Sequence, residues 1–136
     1  MASVDLTYQI GLTLLSGVGD VLAKNLVAYC GSAEQVFKTG KAQLEKIPGI
    51  GSYTSNAIYQ SKSVLERAEQ ELKFIEENDI EALFFTDKKF PQRLKNCNDS
   101  PVMLYYKGNA DLNADKIVAV VGTRTPSPFG KQTTEK

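Results

Sequence analysis

Histidine is absent from this chain, and so is tryptophan. Without histidine, the commonest general base and the commonest metal ligand are both missing. Cysteine is nearly absent: Cys30 and Cys97 stand alone, with no Cys-x-x-Cys spacing. Two lone cysteines argue against a disulfide scaffold and fit a reducing compartment. No apolar run reaches the roughly 18 residues needed to cross a bilayer, and the N-terminus carries no basic-then-apolar leader. The expected location is the cytoplasm, with no membrane partner. There is no excess charge of either sign, since 16 basic and 16 acidic residues cancel; no global field draws the protein to nucleic acid. The Gly-x-Gly-x-x-Gly and Gly-Lys-Ser/Thr phosphate signatures are also missing. No pair of carboxylates stands in an acid/base or nucleophile context. The expectation is a protein without catalytic residues, metal or cofactor.

What is present begins with a repeat. Leu15-Ser16-Gly17-Val18-Gly19 is followed by Ala23 and Leu26; 32 residues on, Ile47-Pro48-Gly49-Ile50-Gly51 is followed by Ser55 and Ile58. Apolar, small, glycine, apolar, glycine, then apolar residues at helical spacing reads as a helix-hairpin-helix used twice. Such a turn bares backbone N–H groups at a helix start, where phosphate can bind without base readout. Gly17, Gly19, Gly49, Gly51 and Ser52 are therefore candidate weak contacts to a nucleic-acid backbone, with Lys24 one turn along. Asp20 opposes this in the first copy, and the second copy has no basic residue at its tip. The same hairpins can equally serve only to fold a compact helical domain.

Helices are expected over Leu6–Leu15, from Asp20 as cap through Cys30, after the cap Ser32, over Lys41–Ile47, from Ser52 to Tyr59, and from about Ser63 to Glu77. After Asn78 the period changes. Ile80–Phe85 and Val102–Lys107 are β-rich, with a helical turn near Phe90–Leu94. Lys116–Gly122 reads as a strand buried on both faces, and Ser127-Pro128 as an N-cap and first helical residue. The expected domains are thus 1–78, helical, and 79–136, the opening of an α/β domain. No second parallel strand follows, so the sequence reads as one domain plus the start of another. Charge divides similarly: residues 66–81 hold seven acids against Arg67 and Lys73, whereas residues 82–136 hold nine bases against five acids.

The second constellation is Gly122-Thr123-Arg124 with Ser127 and Gly130. It lies beyond the carboxyl end of the expected strand and before a helix, where open α/β sheets bind ligands. Arg124 offers a planar fork suited to phosphate, Thr123 and Ser127 offer hydroxyls, and Gly122 lets a ligand approach the backbone. The bland alternative is a plain strand-to-helix turn with an exposed arginine. Tyr53 and Tyr59 could stack on bases, but tyrosines on helices are more often core or interface.

The joint order of these features is more specific than any one of them. A doubled hairpin, then Lys88-Lys89-Phe90-Pro91-Gln92-Arg93-Leu94, Ser100-Pro101-Val102-Met103-Leu104-Tyr105-Tyr106-Lys107-Gly108, Val118-Ala119-Val120-Val121-Gly122-Thr123-Arg124 and Ser127-Pro128-Phe129-Gly130 resembles the front portion of the DNA-processing A (DprA/Smf) family of bacteria. The resemblance implies a helical SAM-like domain joined to a Rossmann-like domain. It implies a non-catalytic protein that binds single-stranded DNA, helps load RecA during natural transformation, and is a homodimer at full length. It places Gly122, Thr123 and Arg124 in the single-strand pocket, with Ser127 and Gly130 close by. Two other readings compete. One is a Rossmann-like nucleotide phosphoribohydrolase, which also has a Gly-Ser/Thr turn after its first strand. The other is a helical protein-interaction module.

Overall fold

A computed structural model describes residues 2–135. The chain there forms six helices, a two-stranded antiparallel hairpin spanned by a short helix, and a last helix. Helix α1 covers Ala2–Leu14, α2 Asp20–Cys30, α3 Ala33–Lys38, α4 Lys41–Leu44, α5 Ser52–Tyr59 and α6 Lys62–Glu77. Helices α1 and α6 lie along one another. Ile10 and Leu12 of α1 and Ala68, Leu72 and Ile75 of α6 are buried in the core. These α6 positions recur at helical spacing, so its apolar stripe faces inward while Arg67 and Glu71 pair on the outside.

Local signals place most helix ends. Ser32 precedes α3 and its hydroxyl accepts from the Gln35 N–H, at 3.2 Å, which satisfies one donor left over at the helix start. Gln60 ends α5 and Ser61 precedes α6, so the chain breaks between these two helices. Asp20, expected as the cap of α2, is its first residue instead; Gly19 is the cap. The carboxylate turns away from its own helix to a partner 82 residues distant.

Strand β1 (Glu81–Phe84) pairs with β2 (Met103–Tyr106), Glu81 opposite Tyr106 and Phe84 opposite Met103. Helix α7 (Gln92–Lys95) lies in the connection. Phe84, Val102 and Met103 belong to the same buried cluster as Ile10, Leu26, Val36, Leu44 and Ile58. One core therefore runs across residue 78 and joins the hairpin to the helices. Each large side chain so buried contributes about 1.5–3 kcal/mol relative to exposure.

The strand expected at Lys116–Gly122 is not formed. These residues are unpaired among the described residues and exposed. Val118, Val120 and Val121 are 84–91% exposed. A strand is defined by its neighbour. Without one, backbone donors and acceptors go to water and β-branched side chains have nothing to pack on. The last helix, α8 (Pro128–Thr134), begins as expected: the Ser127 hydroxyl accepts from the Gly130 N–H at 3.1 Å, with proline at the first helical position.

Candidate nucleic-acid interface

Two regions carry the sequence-derived site residues, and the structure does not bring them together. The first region is the pair of glycine turns. Gly17 has φ +78° and Gly49 φ +86°, left-handed values that disfavour any side chain. The turns interlock. A methyl group at Gly17 would stand 3.0 Å from the Tyr53 ring, and one at Gly49 would stand 3.4 Å from Leu22. Each turn is thus covered by the helix that follows the other. The Tyr53 hydroxyl shares a 2.9 Å hydrogen bond with Ser16, so this exposed side chain is already tied to the first turn.

Gly19 and Gly51 precede α2 and α5 with no side chain capping either helix. Ser52, the first residue of α5, is exposed. Lys24, the basic candidate one turn along from the first copy, donates to the Ser100 hydroxyl at 2.7 Å and to the Asn98 carbonyl at 3.0 Å.

The second region is the 122–130 turn. Val120, Gly122, Thr123, Ser127 and Phe129 line an open groove of about 510 Å³. Arg124 is exposed and engages no acid and no acceptor among the described residues. A methyl at Gly122 would meet nothing within 4 Å, and one at Gly130 would make only ordinary contact with Ser127 and Pro126. The Thr123 hydroxyl donates to the Thr125 carbonyl at 3.0 Å, which tightens the turn around Arg124.

The start of α8 offers less to an anion than its position suggests. Pro128 has no N–H, Gly130 gives its N–H to the Ser127 hydroxyl, and Lys131 gives its N–H to the Ser127 carbonyl. Only the Phe129 N–H is left in that first turn. The chemistry available here is therefore a free guanidinium beside an open, glycine-flanked backbone, suited to a phosphate or carboxylate.

Residues given no role by sequence reasoning position the approach to this turn. Arg93 on α7 donates to the carbonyls of Ala114 and Asp115, at 2.8 and 2.9 Å. Asn113 accepts from the Gln92 N–H at 2.8 Å. Together they tie the 108–115 loop to α7 and fix where the 116–122 segment departs. Arg93 sits in a stretch readable as helical, but its acceptors are 21 and 22 residues away, and no local signal names them.

Residues 81–136 match the family model described as DNA recombination-mediator protein A. A curated relative, DNA processing protein DprA of Streptococcus pneumoniae (strain ATCC BAA-255 / R6), is 46% identical over 50 residues, covering 37% of this chain and 18% of that protein. The match thus spans less than a fifth of that relative's length. No solved structure matches the chain. Over residues 81–136 the chain is similar to the DprA family, the one to which the order of motifs pointed. The matched segment includes the hairpin, α7 and the whole 122–130 turn.

Proposed function

We propose that this protein acts in DNA processing as a non-catalytic, cytoplasmic mediator of recombination that binds single-stranded DNA through the 122–130 turn. The observation that carries the reading is the family match over residues 81–136, within which Arg124, at the strand-to-helix turn, is an exposed cation with no partner among the described residues. Arg124 clamps a backbone phosphate. The Gly122–Thr123 backbone lets the sugar–phosphate chain lie close, and the Phe129 N–H adds one donor. Contacts of this kind hold any sequence, because they touch phosphate and not base edges. In this reading the segment from 79 onward is the opening of a Rossmann-like domain, and residues 1–78 form a SAM-like accessory domain built on two helix-hairpin-helix units. Loading of RecA and a homodimeric full-length state belong to the same proposal.

Titration of a fluorescent single-stranded oligonucleotide at low salt tests it. Arg124→Ala should weaken binding by about 1–3 kcal/mol, the scale of a lost hydrogen bond to a charged group, and flatten the dependence of log K on log salt. Equal affinity in the variant would remove Arg124 from the interface. Release of free base from a nucleoside monophosphate would instead make the protein a phosphoribohydrolase.

A further inference from the structure

The two glycine turns are copies, yet they differ at two positions that matter. With the 32-residue offset, Asp20 corresponds to Ser52 and Lys24 to Asn56. Ser52 and Asn56 are both exposed on α5. Asp20 and Lys24, four residues apart on α2, are spaced to pair with each other, but each reaches across to the 98–102 loop instead. The Asp20 carboxylate accepts from the Val102 N–H at 2.9 Å. Lys24 holds the Asn98 carbonyl and the Ser100 hydroxyl. Ser100 and Val102 are buried, 3% and 2% exposed.

Both backbone polar groups of Val102 are engaged. Its carbonyl accepts from the Phe85 N–H at 2.8 Å, continuing the β1–β2 ladder by one step, and its N–H is taken by Asp20. A carboxylate on a helix thus takes the N–H that a continued ladder would have given to the Phe85 carbonyl. Desolvated backbone groups must find such partners, and a charged acceptor makes a stronger bond than a neutral one.

We propose that the first glycine turn and α2 are a clamp on the 98–102 loop, with Asp20 and Lys24 as positioning residues, and that this copy takes no part in nucleic-acid binding. The charges that distinguish it from the second copy are the parts of the clamp. Lys24 is occupied, and Asp20 places a carboxylate where a phosphate would have to come. The clamp fixes β2, and so the segment that leads to the 122–130 turn, against the helices.

Amide hydrogen exchange on the full chain tests this without nucleic acid. Asp20→Ala should speed exchange at Val102 by about tenfold or more, the scale of losing one charge-assisted hydrogen bond, while Ile58 in α5 stays protected. Asp20→Asn keeps an oxygen acceptor and should retain most of the protection. Unchanged exchange at Val102 would overturn the clamp, and so would equal acceleration at Val102 and Ile58. A second arm uses single-stranded DNA and rests on the function proposed above. Lys24→Met should leave the slope of log K against log salt unchanged, whereas a slope shallower by about one would make Lys24 a phosphate contact and overturn the proposal. If the unaltered protein binds no DNA, the DNA-binding reading fails and the exchange experiment alone decides the clamp.

Discussion

Glu81-Ala82-Leu83-Phe84 and Ile117-Val118-Ala119-Val120-Val121 are both short, largely apolar runs in the matched segment of the chain. The second is much richer in β-branched residues and has the higher strand propensity. Yet the first is the strand, with Leu83 and Phe84 at 3% and 2% exposure, while Val121 is 91% exposed. The difference is company. Strand β1 has Met103–Tyr106 opposite it and α6 packed near it; the 117–121 run has no pairing neighbour among the described residues. Intrinsic preference biases a segment, but burial and pairing decide it.

That contrast can be broken by substitution, and the largest effect belongs to the packed side. Phe84→Ala should cost about 3–5 kcal/mol of stability through lost burial and the cavity left behind. Denaturant unfolding measures it, and a loss below about 1 kcal/mol would mean that this ring is not core. Next comes a matched pair of helix caps. Ser32→Ala should cost about 1 kcal/mol, because α3 packs on α1 and α2. Ser127→Ala removes the same kind of bond from α8 and should leave global stability within about 0.5 kcal/mol. Equal losses in thermal melts would show that α8 unfolds with the body and is not an outlying helix. Smaller still, Val118→Thr and Val121→Thr should each shift stability by less than about 0.5 kcal/mol. A larger loss in the same melts would place these valines in a packed environment.

The smallest effect is one of pH and lies on the body side. Tyr105 on β2 has its phenol pKa raised above the ordinary value near 10, first by partial burial and then by the negative charge of Glu71. The folded protein therefore holds this proton more tightly than the unfolded chain does. Its contribution is complete below pH about 10 and is lost as pH rises through the folded-state value. Melting temperatures at pH 9 and 11 should converge slightly in Tyr105→Phe relative to the parent, and an identical pH response in both proteins would remove Tyr105 as a cause.

Sequence reading was most successful where the physics is local. Ser32 and Ser127 cap helices by accepting from N–H groups three residues away, with Pro128 at the first helical position, and the α6 stripe shows in its own spacing. The change of character after Asn78 was equally plain. What escaped was non-local. Asp20 looks like a helix cap because nothing nearby announces Val102, 82 positions on. Lys24 looks like a phosphate contact because its acceptors, Asn98 and Ser100, are 74 and 76 positions on. The interlocking of Gly17 with Tyr53 needs the two repeats folded on each other. The 117–121 run was read from composition, which carries no information on whether a neighbouring strand is present.

Gly17 and Gly122 sit in similar-looking stretches but answer to different constraints. At Gly17, both the backbone angle and the aromatic lid exclude a side chain. At Gly122 neither does, because the angle is ordinary and the space above the α-carbon is vacant. Alanine at 122 would leave a melting curve unmoved; only a visitor arriving from solvent would register the extra methyl.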